Sequence, residues 1–517
     1  MAQGVTKLKS NPNTKKANNA HKASKNASVT KKGKMAIPPK KKNEVELKTN
    51  MKKLSSSINN NIEKEMVGKA SSGPLHILKD KDAKGKNSYL HTMDTAVKEI
   101  FQEYNPTGWL PNGHFQTIFS TLLDTSNIDS VDYHRHTLLL RDGGNISLDI
   151  HNPGKQKVAV ICHGLTGGSH ESYVRTVVAQ LGEDVTSIVV IARGCANTTI
   201  TSPLLFSAGQ TNDLRTAILY IKNLYPDVDL IAIGFSLGAN IITKYCAEEG
   251  DKCPFKAAVV LSNPWDLYKG TKELEGSYLG LYFYDRAMAS SMMALLNLHG
   301  HALKETHAEE LALINSLKWP TVKQFEDIIT CKVGGHPPDF PIPNAEAYCI
   351  WASSANYIEK IKIPFLGLNS EDDPIAFKAA WPEPADEYKT SPSNLYKCKA
   401  NPLVHIYHTK HGGHMAWFEG GHPFSVFRTG PTYSDNYPAP RRWFAKPVAQ
   451  LVGHLFTDNF APAPGASEKP VRVFDGDMEW ETRDPNLKEF VAYSVLTKGD
   501  EIIHGGDESK NNVSQGF

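Results

Sequence analysis

The feature that most constrains this chain is Gly234-Phe235-Ser236-Leu237-Gly238. It sits between the apolar run Asp229-Leu-Ile-Ala-Ile233 and a helical pattern that ends near Gly250. A sharp turn from strand to helix strains its central residue. Side chains on either flank would strike the two elements, so glycines are needed on both sides. Such a turn lifts the serine hydroxyl clear of the sheet end, where sites form in open α/β sheets. The bare pattern also arises by chance, and a glycine-flanked serine in an ordinary turn is the plain alternative. The strand before and the helix after favour a nucleophile.

The surroundings supply the rest of an α/β architecture. TLLLRDGGNISLDI, from Thr137, alternates about Asp-Gly-Gly and predicts a β-hairpin. KVAVICHG, SIVVIARG and AAVVLSNP are continuous apolar runs, as expected of central parallel strands buried on both faces. Ser169 to Glu183, with Ser169 as N-cap, and TNDLRTAILYIKNLYP read as crossover helices. From about 265 to 351 the rhythm breaks into helical patterns such as DRAMASSMMALLNLHG, and it resumes with IPFLGLNSEDDP and LVHIYHTKHGGH. An insertion between two core strands is where such an enzyme would carry a lid. The expected organisation is therefore a basic arm over 1–86, a mostly parallel sheet domain with a helical lid over 105–458, and a polar C-terminal tail over 459–517.

A serine is a weak nucleophile and needs a base and an orienting acid. In this fold they follow in the order Ser, Asp or Glu, His, each after a later strand. Asp373 follows IPFLGLNS and His414 follows LVHIYHTK, beside a Gly pair that lets the backbone turn tightly. Asp372 competes with Asp373, which is favoured because a residue before proline is held extended. His411 competes with His414. His405 and His408 read as ordinary surface or core histidines. The loop His163-Gly-Leu-Thr-Gly-Gly168 is expected to bring the amide of Leu165 beside that of Leu237 as an oxyanion hole. Losing one such donor costs about 3–4 kcal/mol of barrier lowering. The loop lacks the Lys-Ser/Thr ending of a phosphate-cradling P-loop. Arg193, Asp213 and Arg215 read as structural ion pairs under the site. Tyr278, Tyr282, Phe283, Met288, Met292 and Met293 read as acyl-pocket lining or as lid-to-core packing.

Several stretches together resemble the "AB hydrolase" branch of the α/β-hydrolases. That branch holds fungal medium-chain fatty acid ethyl ester synthase/esterases, bacterial YheT-like hydrolases and monoacylglycerol lipase-type members. The matching stretches are Asn112-Gly-His-Phe-Gln-Thr-Ile118, HGLTGGSHESYVR, ARGCANT, FSAGQTNDLR, GFSLGANI, NSEDDPI, HGGHMAWFEG and RRWFAKPV. The resemblance implies an α/β-hydrolase fold and a Ser236–Asp373–His414 triad. It implies action on medium-chain fatty acyl esters or monoacylglycerols, with water or an alcohol as acceptor and no cofactor or metal. The chain departs from the family in its basic arm. It also lacks a His-x4-Asp motif, which weakens acyl transfer through such a motif but not alcoholysis of an acyl-enzyme.

Charge separates the two ends. The chain has 57 Lys and Arg against 55 Asp and Glu. Met1–Lys86 alone holds 21 Lys and 6 acidic residues, a balance of 21 − 6 = +15. Such a Lys-, Asn- and Ser-rich segment is expected to be disordered, with one amphipathic helix over Val45–Gly68. MAQG, KKGKMAIPPKKK and INNNIEKEMVGKASS resemble the family of small basic proteins named after the Leydig cell tumour protein. The arm implies nucleic acid or anionic surfaces as partners, with nuclear or nucleolar targeting. The seven Cys, without a CxxC, read as buried reduced thiols of an intracellular protein. No apolar run suggests a signal peptide or a membrane span, so contact with a membrane or lipid-droplet surface is expected to be peripheral.

Overall fold

The computed structural model describes residues 92–122, 129–390, 393–423, 439–457, 459–460, 463–465 and 470–505. The basic arm and its expected helix lie outside them.

The runs read as strands join one twelve-stranded sheet. In chain order the strands are β1 (Val131–Leu140), β2 (Asn145–His151), β3 (Lys157–Cys162), β4 (Val185–Ile191), β5 (Asp229–Phe235), β6 (Phe255–Leu261), β7 (Phe365–Ser370), β8 (Leu395–Lys397) and β9 (Val404–Thr409). A small pair, β10 (Phe418–Glu419) and β11 (Arg441–Arg442), lies apart. Then come β12 (Val471–Asp475), β13 (Met478–Thr482) and β14 (Ala492–Gly505). The spatial order is β12-β13-β14-β1-β2-β4-β3-β5-β6-β7-β9-β8. From β4 to β9 every pairing is parallel.

The unbroken apolar runs follow from this burial. On β3, Ala159 and Ile161 join one core cluster while Val158 and Val160 join the other. On β5, Ile231 and Ile233 oppose Leu230 and Ala232 in the same way. Each face has its own helical cover. α1 (92–100), α2 (Gly113–Leu122) and α3 (Ser172–Leu181) precede α4 (Asn212–Leu224) and α5 (Leu237–Glu249). α3 lies on the first face with Tyr173, Val174 and Val177. α4 and α5 cover the second with Leu214, Ile218, Ile242 and Tyr245. Truncating a fully buried strand residue such as Ile231 to Ala would cost about 2–5 kcal/mol.

Between β6 and β7 the chain runs through α6 (Leu267–Gly276), a π turn at Gly280–Tyr284, α7 (Asp285–His299) and α8 (Ala308–Ser316). α9 (Val322–Phe325) follows and continues through a second π turn, Glu326–Thr330; α10 (Ala345–Ala352) ends the insertion. α11 (Ala445–Leu455) then packs on α3 through Val448, Leu451 and Val452.

Three expectations need correction. The segment after 458 is not a tail: β14 runs antiparallel along the whole of β1, and β13 and β12 extend the sheet beyond it. Trp480 and Tyr493 are buried there. Apolar residues such as Phe474, Val495 and Leu496 face outward among polar ones, so no clean alternation marks these strands in a sequence reading. The folded region also starts before 105, because Met93 and Val97 of α1 are fully buried. Ser169 is not an N-cap: α3 begins at Ser172, and the Ser169 hydroxyl donates to Asp149 at 2.5 Å. All seven cysteines are buried and unpaired. No described helix is long and apolar enough to cross a membrane.

Candidate active site

Ser236 sits between β5 and α5 with φ 49° and ψ −114°. A non-glycine residue in that region stores about 1–3 kcal/mol of strain. Its flanking glycines are needed for space. A Cβ on Gly234 would lie 2.6 Å from Ala239 Cα, and one on Gly238 would lie 2.4 Å from the Cys162 carbonyl oxygen.

The structure brings together the three side chains expected from the sequence. His414 Nε2 is 2.8 Å from Ser236 Oγ. His414 Nδ1 is 3.0 and 2.9 Å from the two oxygens of Asp373. A carboxylate only accepts, so Nδ1 carries the proton and Nε2 is left to accept from the serine. Asp373 is itself held by the amides of Ile375 and Ala376, each at 2.8 Å. All three residues are buried.

The alternatives form a second pair. His411 Nδ1 lies 3.0 Å from Asp372, which also accepts from the Gly413 amide at 3.1 Å. This pair ties down the loop that presents His414. Gly413 has φ +60°, and a Cβ there would meet the Gly113 carbonyl at 2.6 Å.

The stretch Asn112–Ile118 holds functional residues that its pattern alone does not assign. In α2, Thr117 Oγ1 accepts from the His414 amide at 2.9 Å and donates to Gly113 O at 2.7 Å. Gln116 accepts from the Phe418 amide at 2.8 Å and donates to Tyr104 Oη and Leu110 O. The polar positions of that motif thus clamp the histidine loop on both sides of His414. Their signal in the sequence was a Gln-Thr pair set between Phe115 and Ile118-Phe119. His114 bonds Tyr284 at 2.9 Å, joining α2 to the inserted helices beside Asp373. Burial pushes the Tyr284 phenol up to about 12, and the Asp373 charge adds to it.

Leu165 and Leu237 line the same cavity as Ser236. Neither amide N–H finds an acceptor among the described residues. The loop around Leu165 is fixed from behind. His163 Nε2 accepts from the Ala192 amide and Nδ1 meets Gly164 O at 2.7 Å, while Tyr173 Oη accepts from the Gly164 amide at 3.0 Å. Burial lowers His163 to about 4, so it is neutral. Arg442 binds Met415 O, Ser120 and Ser172 and lies 4.6 Å over Phe418. Burial lowers it to about 10, and it stays charged at neutral pH.

The expected ion pairs divide. Arg193 grips Asp213 through two bonds of 2.7 Å and also binds Asp142. Arg215 turns away to Glu248 and Glu249. His405 is buried with Nε2 3.0 Å from Asp94, and His408 lies 3.0 Å from Glu371.

The cavity has a volume of about 1120 Å³, counting its open mouth. Met288 and Met292 line it; Met293 packs on the core. Tyr278, Tyr282 and Phe283 do not line it. They are 79, 59 and 41% exposed and face outward. Helical spacing puts them on one face, but it does not say which face meets the sheet. Two acids unmarked in the sequence do line it. Burial pushes Glu326 up to about 8 and Asp285 up to about 6. Among the described residues no group of three or more His, Cys, Asp or Glu converges to hold a metal.

Comparison with known proteins agrees with this architecture. The family model described as alpha/beta hydrolase fold matches residues 158–420. A family described as a protein of unknown function (DUF2462) matches residues 1–83. The chain is 30% identical over 407 residues to a monoacylglycerol lipase of Saccharomyces cerevisiae, covering 70% of this chain and 83% of that one. It is 30% identical over 325 residues to an abhydrolase domain-containing protein of Dictyostelium discoideum, covering 61% and 78%. It is 29% identical over 282 residues to medium-chain fatty acid ethyl ester synthase/esterase 2 of S. cerevisiae, covering 51% and 58%. With its sheet order, its strained serine turn and these matches, the chain belongs to the alpha/beta hydrolase fold family.

Proposed function

We propose that the chain is a serine carboxylic-ester hydrolase acting on medium-chain fatty acyl esters or monoacylglycerols. The observation that carries the reading is the hydrogen-bonded line Asp373–His414–Ser236, which ends at the wall of a mainly apolar cavity. Ser236 Oγ attacks the ester carbonyl carbon as His414 Nε2 takes its proton. The carbonyl oxygen gains negative charge and is met by the amides of Leu165 and Leu237. The carbonyl re-forms and the alkoxy group leaves with the proton from His414. Asp373 holds the ring and stabilises the imidazolium. Water then repeats the sequence on the acyl-enzyme and releases the fatty acid. An alcohol in place of water gives a new ester, such as an ethyl ester. The names of the two yeast relatives support both the substrate class and this second outcome. The test is turnover of p-nitrophenyl octanoate by Ser236→Ala; turnover at the unaltered rate rejects the assignment.

Two further readings have their own support. The outward Tyr278, Leu279, Tyr282 and Phe283 would seat the insertion, as a lid, on a membrane or lipid-droplet surface. Replacing Tyr278 and Phe283 by Ser should then reduce co-sedimentation with vesicles. The Lys-rich arm would bind nucleic acid or anionic surfaces in a salt-dependent way. RNA binding that survives deletion of Met1–Lys86 counts against it.

A further inference from the structure

The far wall of the cavity is not apolar throughout. Glu326, on the π turn after α9, is partly buried and lines the cavity. Its hydrogen-bond partner is the Cys349 thiol at 3.5 Å, a weak donor that leaves most of the carboxyl's capacity unused. Burial holds the carboxyl largely in its neutral acid form at neutral pH. A neutral carboxyl offers both an O–H donor and an acceptor.

A second, independent observation lies nearer Ser236. Thr166 and Ser207 also line the cavity, with their hydroxyls tucked into its wall. Both residues are at least 97% buried, and neither Oγ has a hydrogen-bond partner among the described residues. Buried polar groups are normally satisfied, so an underused carboxyl on the cavity wall, beside two hydroxyls unpaired within that wall, calls for a partner that is polar as well as greasy. A plain acyl chain would desolvate the Glu326 carboxyl and give nothing back.

We infer that the cavity takes esters that carry a free hydroxyl group, and that Glu326 is the specificity-determining residue that receives it. The inference rests on the ester-hydrolase reading above. The hydroxyl has two sources, the glyceryl part of a monoacylglycerol or a hydroxylated acyl chain. In either case a site built to bond a hydroxyl discriminates against the analogue that lacks it.

The experiment compares kcat/KM for ethyl octanoate, monooctanoylglycerol and ethyl omega-hydroxyoctanoate in the full chain and in Glu326→Leu. The unaltered protein should prefer the hydroxylated esters. Glu326→Leu should lose roughly tenfold of that preference while ethyl octanoate turnover holds or rises. Glu326→Gln, which keeps a donor and an acceptor, should retain most of it. Loss confined to monooctanoylglycerol assigns the glyceryl hydroxyls, and loss confined to the hydroxyacyl ester assigns the chain. Unchanged ratios in both arms overturn the inference. Turnover of ethyl octanoate reports that the variant is folded; if Leu does not fold, Glu326→Met of similar volume takes its place. Failure of the ester-hydrolase reading looks different, because Ser236→Ala would then turn over all three esters as the unaltered protein does.

Discussion

Two Asp–His pairs stand side by side on the same two loops, yet their surroundings give them different work. His414 and Asp373 have side chains 2% and 0% exposed, and the far nitrogen of the ring reaches Ser236. His411 and Asp372 are 35% and 22% exposed, and Asp372 also binds the Gly413 amide. The contact distances are nearly equal, about 3 Å in both. Burial and the group beyond the ring separate the pair proposed for catalysis from one that ties the loop.

The sharpest way to break the contrast is to neutralise each acid in turn. Asp373→Asn keeps the shape but favours the wrong imidazole tautomer. By the magnitude known for Ser-His-Asp sites, kcat on p-nitrophenyl octanoate should fall about ten-thousandfold. Asp372→Asn should stay within about tenfold. Comparable losses in the two variants would erase the distinction.

Glu326 sharpens it from another side, as a buried acid with no histidine. Its carboxyl rises from an ordinary 4.5 to about 8 through burial, with Asp327 and Asp285 nearby adding to the rise and the Cys349 thiol opposing it. The folded state therefore holds a proton that the unfolded state releases between those values. The stability it contributes is complete below pH 4.5 and is lost as pH rises toward 8. Glu326→Gln removes that loss. In urea unfolding the variant should match the unaltered protein near the lower limit. Near the upper limit it should be more stable by on the order of 3 kcal/mol. An equal difference at both ends would mean that the carboxyl does not titrate across this window.

These contrasts also mark how far the sequence could be read. The central strands were legible because burial on both faces leaves no polar position in β3 after Lys157 or in β5 after Asp229. Ser236 was legible from its two glycines, and His414 from the Gly pair before it. The choice between Asp373 and Asp372 was open, because both follow β7 and only the three-dimensional path says which one meets His414. β12–β14 were hidden because apolar residues such as Phe474, Val495 and Leu496 face outward among polar ones, so Trp480 and Tyr493 do not make a period. The direction of Tyr278, Tyr282 and Phe283 was hidden because a helical period fixes a face without fixing its partner. Glu326 was hidden because an acid in a helical stretch normally faces water.

Thr117 tests whether the loop's placement matters as much as its charge. Thr117→Val keeps the volume and leaves the buried His414 amide without an acceptor, a loss of about 1–3 kcal/mol. If part of that moves the ring away from Ser236, kcat should drop roughly tenfold with KM unchanged. Thr117→Ser should restore it. A drop in thermal stability with kcat intact would make Thr117 structural only.

The smallest effect belongs to His411. Its ring is one-third exposed, and solvent screens its contact with Asp372, so the pair is worth less than about 1 kcal/mol. When the ring is removed in His411→Ala, Asp372 keeps its bond to the Gly413 amide, and water replaces the imidazole. The histidine loop is still clamped from α2 by Thr117 and Gln116. We therefore expect kcat within about threefold of the unaltered protein and a stability change too small to separate the unfolding curves by much. The measurement that matters is the comparison with His414→Ala under the same conditions. If His411→Ala proved the more damaging of the two, the exposed pair would be the one that moves protons, and the line from Asp373 to Ser236 would be only scaffolding.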